Sequence, residues 1–162
     1  DELIRLARRL CAMAHRAGAL FIMNDQVDIA LAAGADGVHL GPDDMHPSEA
    51  RRYMREGLVG ASVNSVEEAI PLAPFVSYFG VGAIYGSSTK GDAGPPIGTE
   101  PIRRISSRFL GIPIVAIGGI TKENIATVKR AGADSAAVVS AVVCASDMEQ
   151  ATRDLVDAWN QA

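Results

Sequence analysis

The sequence contains a row of three hydroxyl side chains and one lysine, Ser87-Ser88-Thr89-Lys90. The row follows an apolar stretch, Gly80–Ile84, whose length and composition are typical of a buried strand. Hydroxyl and ammonium groups donate readily to anionic oxygens, and Gly86 and Gly91 would let the backbone approach a ligand closely. The loop from Tyr85 to about Thr99 is longer than most connections in a compact domain, and such loops are usually functional or disordered. The stretch therefore predicts an anion-binding loop.

Other predicted strands also end in polar or small residues, and these are Asn24-Asp25, Gly41 to Asp44, Ser62, Gly118-Gly119 and Ser140. Turns use the same residue types, so each position taken alone has an ordinary structural explanation. In a barrel of parallel strands, however, all of these ends converge on one face, where active sites are found. Six such ends together favour a functional site.

Two of these strand ends carry carboxylates, Asp25 and Asp44. Two carboxylates on neighbouring strand ends suit Mg²⁺, which prefers oxygen ligands and keeps waters or phosphate oxygens in its shell. Helix capping is the alternative explanation for Asp44. It is weaker for Asp25, because Asn24 could serve as the cap.

Two later strand ends suit a phosphate group. Gly118-Gly119-Ile120 and Val139-Ser140 would offer backbone N–H groups with no large side chain in the way. The alternative for the glycines is close packing of a helix on a strand. His39 is interpreted as a strand histidine with satisfied hydrogen bonds rather than as a ligand.

Short apolar strands alternate with amphipathic helical patterns along the whole chain, which indicates a parallel α/β sheet. The pattern predicts six strands, the last over Ser135–Val139, and a helix over Lys122–Arg130 capped by Thr121. The tetrapeptide Ala-Gly-Ala-Asp joins a helix to a strand twice, at 33–36 and 131–134. An open doubly wound sheet and a (β/α)₈ barrel both fit this alternation.

The composition is that of an ordinary globular domain, with 162 residues, 48% hydrophobic residues and a net charge of −4. No basic tract indicates nucleic acid as a partner, and no apolar run reaches the roughly 18 residues of a membrane span. No signal-peptide pattern is seen, and Cys11 and Cys144 are interpreted as reduced core thiols, so a cytoplasmic location is expected.

Several stretches closely resemble the thiamine-phosphate synthase family, and they lie at residues 21–44, 60–65, 80–98, 112–120 and 131–142. They include FIMNDQVDIALAAGADGVHLGPDD, GVGAIYGSSTKGDAGPPIG and IPIVAIGGI. The resemblance implies a (β/α)₈ barrel of the TIM type. It also implies a transferase that joins a hydroxymethylpyrimidine diphosphate to a thiazole phosphate in thiamine biosynthesis, releasing pyrophosphate.

The resemblance implies roles for the residues that would handle the diphosphate. Asp25 and Asp44 match the family's Mg²⁺ ligands, and Mg²⁺ is the implied cofactor. Asn24 matches a diphosphate contact. Ser62 and Lys90 match catalytic and substrate-binding residues, Ser62 near the pyrimidine and Lys90 on the diphosphate.

Five further positions match the family's thiazole-phosphate pocket. Ser87 and Thr89 fall where the family has hydroxyls that hold the phosphate. Gly119, Val139 and Ser140 match the remaining wall of the pocket. The implied partners are therefore small-molecule substrates, with no nucleic acid and no membrane. Self-association into a homo-oligomer is left open.

Compared with the family pattern, residues 1–162 are expected to form a single barrel domain that is incomplete at its N-terminus, with about six of eight strands. Gly41-Pro42-Asp43-Asp44 also replaces the more usual Gly-Gln-Glu-Asp, and Gly86-Ser87 replaces Pro-Thr. Two other functions stay open. One is a thiazole tautomerase, and the other is a truncated barrel that binds thiazole or thiamine phosphate without turnover. Asn24, Asp25, Asp44 and Lys90 favour the synthase.

Overall fold

A computed structural model describes residues 2–86 and 95–162, in which helices and strands alternate. The strands are β1 (Ile22–Asn24), β2 (Gly37–Leu40), β3 (Leu58–Val63), β4 (Tyr78–Val81), β5 (Ile114–Ile117) and β6 (Ser135–Ala137). The helices are α1 (Glu2–Arg16), α2 (Val27–Ala33), α3 (Pro47–Met54), α4 (Val66–Leu72), α5 (Glu100–Arg108), α6 (Ile125–Arg130), α7 (Ser140–Val143) and α8 (Met148–Asn160). None of the helices in these two ranges is both long enough and apolar enough to cross a membrane.

The strands form a six-stranded sheet in the order β1-β2-β3-β4-β5-β6. The strand pairs β1–β2, β2–β3, β4–β5 and β5–β6 are parallel. A doubly wound sheet reverses its strand order at a switch point, whereas the strands of a (β/α) barrel follow one another in chain order. The predicted fold class is therefore confirmed as α/β of the barrel type.

The structure divides into two compact units, one of Asp1–Ser62 with Pro71–Tyr78 and the other of Val63–Ile70 with Phe79–Ala162. The expected single-domain organisation stays a prediction. The first unit has a core in which α2 and α3 pack on one face of β2 and β3. The core residues are Val27, Ala30, Val38, Leu40, Ala50, Met54 and Val59.

Side chains alternate strictly between the two faces of β2 and β3, because successive residues of a strand point in opposite directions. Val38, Leu40 and Val59 are completely or almost completely buried under the helices. His39 and its register partner Gly60 therefore face the other side of the sheet. This second face carries His39 and its hydrogen-bond partner Ser62.

The repeated tetrapeptide Ala-Gly-Ala-Asp ends in an aspartate that ties two strands together at their amino ends. Asp36 Oδ2 accepts from the Phe21 N–H at 2.7 Å, while the Asp36 N–H donates to the Phe21 carbonyl at 3.0 Å. Asp134 makes the same reciprocal pair with Ile114, at 2.8 and 2.9 Å. The repeat thus reflects a recurring structural contact at the end of the strands opposite to the candidate site.

Ser77 makes a third contact of this kind between β3 and the residue before β4. Its Oγ accepts from the Val59 N–H at 3.1 Å, and its own N–H donates to the Val59 carbonyl at 2.6 Å. The guanidinium of Arg51 binds the same serine oxygen at 3.0 Å and also donates to the carbonyls of Phe75 and Gly57. Arg51 therefore joins α3 to the start of β4.

Some element boundaries differ from the sequence-based expectation. The predicted helix over Lys122–Arg130 begins only at Ile125, because the residues before it form a turn held by Asn124. The last strand ends at Ala137 rather than Val139, and the short helix α7 follows. Both cysteines are free thiols, but Cys144 is exposed, so only Cys11 is a core thiol as predicted.

Candidate active site

The end of β1 places Asn24 and Asp25 beside β2. Asn24 is the register partner of His39, and the Asp25 N–H donates to the His39 carbonyl at 2.8 Å. Asp25 has a φ angle of 65°, in the left-handed region that few residues other than glycine adopt. Aspartate tolerates this conformation better than most residues, and unusual backbone angles concentrate at functional sites. The turn thus presents an exposed carboxylate at a fixed place on the strand end.

Asp44 closes the turn that follows β2. Its Oδ2 accepts from the Gly41 N–H at 2.6 Å, and its own N–H donates to the Gly41 carbonyl at 3.3 Å. The proposed alternative, that Asp44 caps the next helix, does not hold, because His46 caps α3 by accepting from the Ser48 N–H. The carboxylate of Asp44 is half-buried and held at the strand end by its own turn.

The donor chemistry of these two turns fits a magnesium ion that keeps much of its own shell. Across the described part of the chain, no group of three His, Cys, Asp or Glu side chains could hold a metal ion by itself. Mg²⁺ does not require such a cage, because it commonly binds one or two carboxylates together with waters and substrate phosphates. Two such carboxylates, those of Asp25 and Asp44, lie at the ends of two paired strands.

Ser62 is held by a histidine, and a tyrosine of the same unit contacts the other side of that histidine. The His39 Nε2 atom lies 2.9 Å from the Ser62 Oγ, and the His39 Nδ1 atom lies 3.0 Å from the Tyr78 hydroxyl. The imidazole and phenol rings stack with centroids 5.5 Å apart and an interplanar angle of 25°. The interpretation of His39 as a strand histidine with satisfied hydrogen bonds is confirmed, and its partner is one of the predicted site residues.

Gly60 makes room for this group. A Cβ atom at Gly60 would lie 2.6 Å from the His39 Nδ1 and even closer to the Tyr78 ring. Burial raises the pKa of Tyr78 to about 12, so its hydroxyl stays protonated. Sequence reasoning did not assign a role to Gly60 or Tyr78. A role for Gly60 could have been inferred from its two-residue spacing to Ser62, which places both residues on the same face of β3.

In the second unit, Gly118 and Gly119 follow β5 with φ angles of 100° and 63°. A Cβ atom on Gly118 would lie 2.6 Å from the Ala83 Cα, and one on Gly119 would lie 2.9 Å from the Tyr85 Cβ. Glycine is therefore required at both positions, but by close packing against the residues that follow β4 and not by the packing of a helix on a strand that was the alternative from sequence. The exposed backbone of Gly119 is still compatible with the predicted phosphate contact.

Asn124 fastens the loop that contains Gly119. Its Nδ2 donates to the Gly119 carbonyl at 2.9 Å, and its Oδ1 accepts from the Thr121 N–H at 2.8 Å. One side chain thus bridges two residues of the loop. Sequence reasoning missed this role, because a single asparagine before a helix is also the ordinary signal for a helix cap.

The remaining predicted site residues are placed as follows. Val139 is exposed and precedes α7, and its carbonyl accepts from the N–H groups of Val142 and Val143. Ser140 is half-buried and opens α7. Ser87, Thr89 and Lys90 lie outside the described residues.

A parallel sheet with strands in chain order and polar groups at the carboxyl ends of its strands defines an enzyme of the (β/α)-barrel class. The family model described as thiamine monophosphate synthase matches residues 1–142. The chain belongs to the thiamine monophosphate synthase family.

Individual relatives agree with this assignment. The chain is 48% identical over 155 residues to a thiamine-phosphate synthase of Chloroflexus aurantiacus, covering 95% of this chain and 71% of the relative. It is 44% identical over 156 residues to a thiamine-phosphate synthase of Archaeoglobus fulgidus, covering 96% of this chain and 73% of the relative. A solved structure of a thiamine phosphate pyrophosphorylase from Pyrococcus furiosus superposes with a TM-score of 0.90 at 38% identity, covering 99% of this chain and 77% of that one.

More distant structures share the fold alone. An orotidine 5′-phosphate decarboxylase from Pyrococcus horikoshii superposes with a TM-score of 0.65 at 20% identity, covering 97% of this chain and 80% of that one. At this identity, the likeness supports the barrel-type architecture and carries no information about the substrate.

Proposed function

We propose that the chain acts as a thiamine-phosphate synthase through the residues at the carboxyl ends of its strands. The reaction joins 4-amino-2-methyl-5-hydroxymethylpyrimidine diphosphate to a thiazole phosphate and releases pyrophosphate. The observation that carries the proposal is the placement of Asp25 and Asp44 at the ends of two paired strands in a chain of this family. A tautomerase or a phosphate-binding module would not need this pair of carboxylates.

Asp25 and Asp44 would hold Mg²⁺. When bound, the ion would neutralise charge on the diphosphate as it leaves the pyrimidine. The left-handed turn at Asp25 and the hydrogen bond between Asp44 and Gly41 support these roles, because both fix a carboxylate by backbone geometry before any substrate arrives.

The protein residues around the diphosphate would favour its departure by charge and hydrogen bonding. The bond between the pyrimidine methylene and the diphosphate oxygen breaks, and the thiazole nitrogen then forms the new carbon–nitrogen bond. Asn24 would donate its amide to the diphosphate, Lys90 would add positive charge, and Ser62 would donate its hydroxyl near the pyrimidine and diphosphate. Positioning and charge neutralisation supply most of the rate enhancement in such a scheme, so no side chain needs to act as a nucleophile.

The thiazole phosphate would be held by Ser87, Thr89, Gly119, Val139 and Ser140. The fastening of the Gly119 loop by Asn124 supports this assignment, since a fixed loop can present its backbone to an anion. We further propose a cytoplasmic location for this small-molecule chemistry, and self-association stays a prediction.

The proposal is tested at Asp25. Asp25→Asn removes the charge but keeps a residue type that tolerates positive φ, so its effect on the backbone is small. We expect Mg²⁺-dependent pyrophosphate release to fall at least about 100-fold, while binding of the thiazole phosphate measured by calorimetry is retained. Asp43→Ala, at the exposed neighbour of Asp44, is the matched control and should keep wild-type turnover. Wild-type turnover and Mg²⁺ dependence in Asp25→Asn would remove Asp25 from the metal role.

A further inference from the structure

We propose that Tyr78 is a positioning residue that sets the direction of the Ser62 hydroxyl by fixing the protonated nitrogen of His39. The inference rests on the proposed role of Ser62 as a donor to the substrate. Its structural basis is a continuous chain of three side chains, in which Tyr78 and Ser62 bind opposite nitrogens of one imidazole ring at 3.0 and 2.9 Å.

The geometry holds the imidazole of His39 from three directions. Hydrogen bonds engage both ring nitrogens, and the phenol ring of Tyr78 stacks on the imidazole with a centroid separation of 5.5 Å. The missing side chain at Gly60 leaves the space that this packing needs. These contacts restrict the rotation of the ring, and the direction of each hydrogen bond then depends on where the ring is protonated.

The position of the proton on the His39 ring follows from the relative acidity of the Tyr78 and Ser62 hydroxyls. A neutral imidazole has one N–H donor and one acceptor nitrogen. A phenol is a far stronger acid than an aliphatic alcohol, so it is the better donor to the acceptor nitrogen. The half-buried phenol of Tyr78 also stays protonated, since its pKa is raised to about 12. Tyr78 accordingly donates to Nδ1, and the proton of His39 sits on Nε2.

This arrangement determines what Ser62 offers to a ligand. Its Oγ accepts from the His39 Nε2–H, so its own hydroxyl proton is available to a third group. With the opposite tautomer, Ser62 would donate its proton to Nε2 and present only lone pairs, which an anionic diphosphate would repel. Tyr78 thus converts Ser62 into a directed donor without touching the substrate.

The tautomer is measured without any substrate. Long-range proton–nitrogen NMR of protein labelled with ¹⁵N-histidine identifies the protonated nitrogen, and His39→Gln assigns the signal among three histidines. We expect an Nε2–H tautomer in the wild type and a shift toward Nδ1–H in Tyr78→Phe. Tyr53→Phe, at an exposed tyrosine, is the matched control and should leave the signal unchanged. A wild-type Nδ1–H tautomer, a doubly protonated ring, or no change in Tyr78→Phe would overturn the inference while leaving the proposed function intact.

Steady-state kinetics test the consequence. We expect Tyr78→Phe to lower kcat about 10-fold, as expected for the loss of one hydrogen bond, with an unchanged KM for the thiazole phosphate. Ser62→Ala should lower kcat at least as much, and Tyr78→Phe should add nothing in the Ser62→Ala background. A lower Tm with wild-type kcat in Tyr78→Phe would show a merely structural role. Full turnover in Ser62→Ala would instead refute the role of Ser62 in the proposed function, whatever the NMR result, and would remove the functional half of the inference.

Discussion

Gly60→Ala should destabilise the first unit and displace the group that holds Ser62. The added Cβ would lie 2.6 Å from the His39 Nδ1 and closer still to the Tyr78 ring. Ordinary carbon contacts lie near 3.5–4.0 Å, so His39 would have to move by roughly 1 Å and Tyr78 by more than that. A shift of that size breaks the hydrogen bond of 3.0 Å between them.

The expected cost has two parts. Overpacking of a fitted site costs about 1–3 kcal/mol. Loss of a partly buried hydrogen bond adds about 1 kcal/mol. The sum of about 2–4 kcal/mol corresponds to a fall in Tm of roughly 5–15 °C for a chain of this length.

A double-mutant cycle with Tyr78→Ala separates this clash from other effects, because removing the ring removes the principal obstacle. Urea denaturation followed by circular dichroism should give a cost for Gly60→Ala that drops below about 1 kcal/mol in the Tyr78→Ala background. Gly34→Ala gives the cost of left-handed backbone strain without a clash, since its φ angle is 72° and nothing lies within 4 Å of its added Cβ, whereas Gly60 has no positive φ angle. Equal costs for Gly60→Ala in the two backgrounds would refute the reasoning.

Two further predictions concern other contacts. Asn124→Ala should raise the KM for the thiazole phosphate about 10-fold and leave the KM for the pyrimidine diphosphate unchanged. The reason is that this substitution removes only the hydrogen bonds that hold the Gly119 loop. An equal rise in both KM values would contradict this prediction. The N–H of Phe21, and then His15, lower the pKa of Asp36 below its ordinary 3.8. The ionised carboxylate of Asp36 therefore stabilises the fold fully at pH values above its ordinary pKa of 3.8. This stabilisation is lost as the pH falls through the lowered pKa of the folded protein. Denaturation of the wild type and Asp36→Asn should accordingly converge in acid, whereas a constant difference down to acid pH would argue against a charge effect.

The fold was largely predictable because it follows from local patterns. Each apolar run bounded by turn residues became a strand, and the alternation with helices required a parallel sheet. The positions of Asp25 and Asp44 at strand ends followed from the same patterns. The choice between a barrel and a doubly wound sheet did not, since it depends on the order of strands in the sheet, which only the structure and the family resemblance supply.

The supporting contacts were not predictable for a different reason. Whether His39 meets Tyr78 depends on strand register and on the space left by Gly60, and these involve residues far apart in the chain. The start of α6 was misjudged because Asn124 uses its side chain on the preceding loop instead of capping the helix. Such choices are decided by tertiary contacts that compete with local preference.

The reciprocal backbone contacts of Asp36, Ser77 and Asp134 bear on how this scaffold can evolve. They fasten strands at the amino ends, and the chemistry is proposed for the carboxyl ends. Mutational libraries that randomise the loops after the strands, apart from Gly118 and Gly119, should therefore preserve folding in most members, whereas libraries at these three positions should be depleted by instability. Deep mutational scanning would reveal this division as two separate sets of intolerant positions, one selected for abundance and the other for catalysis.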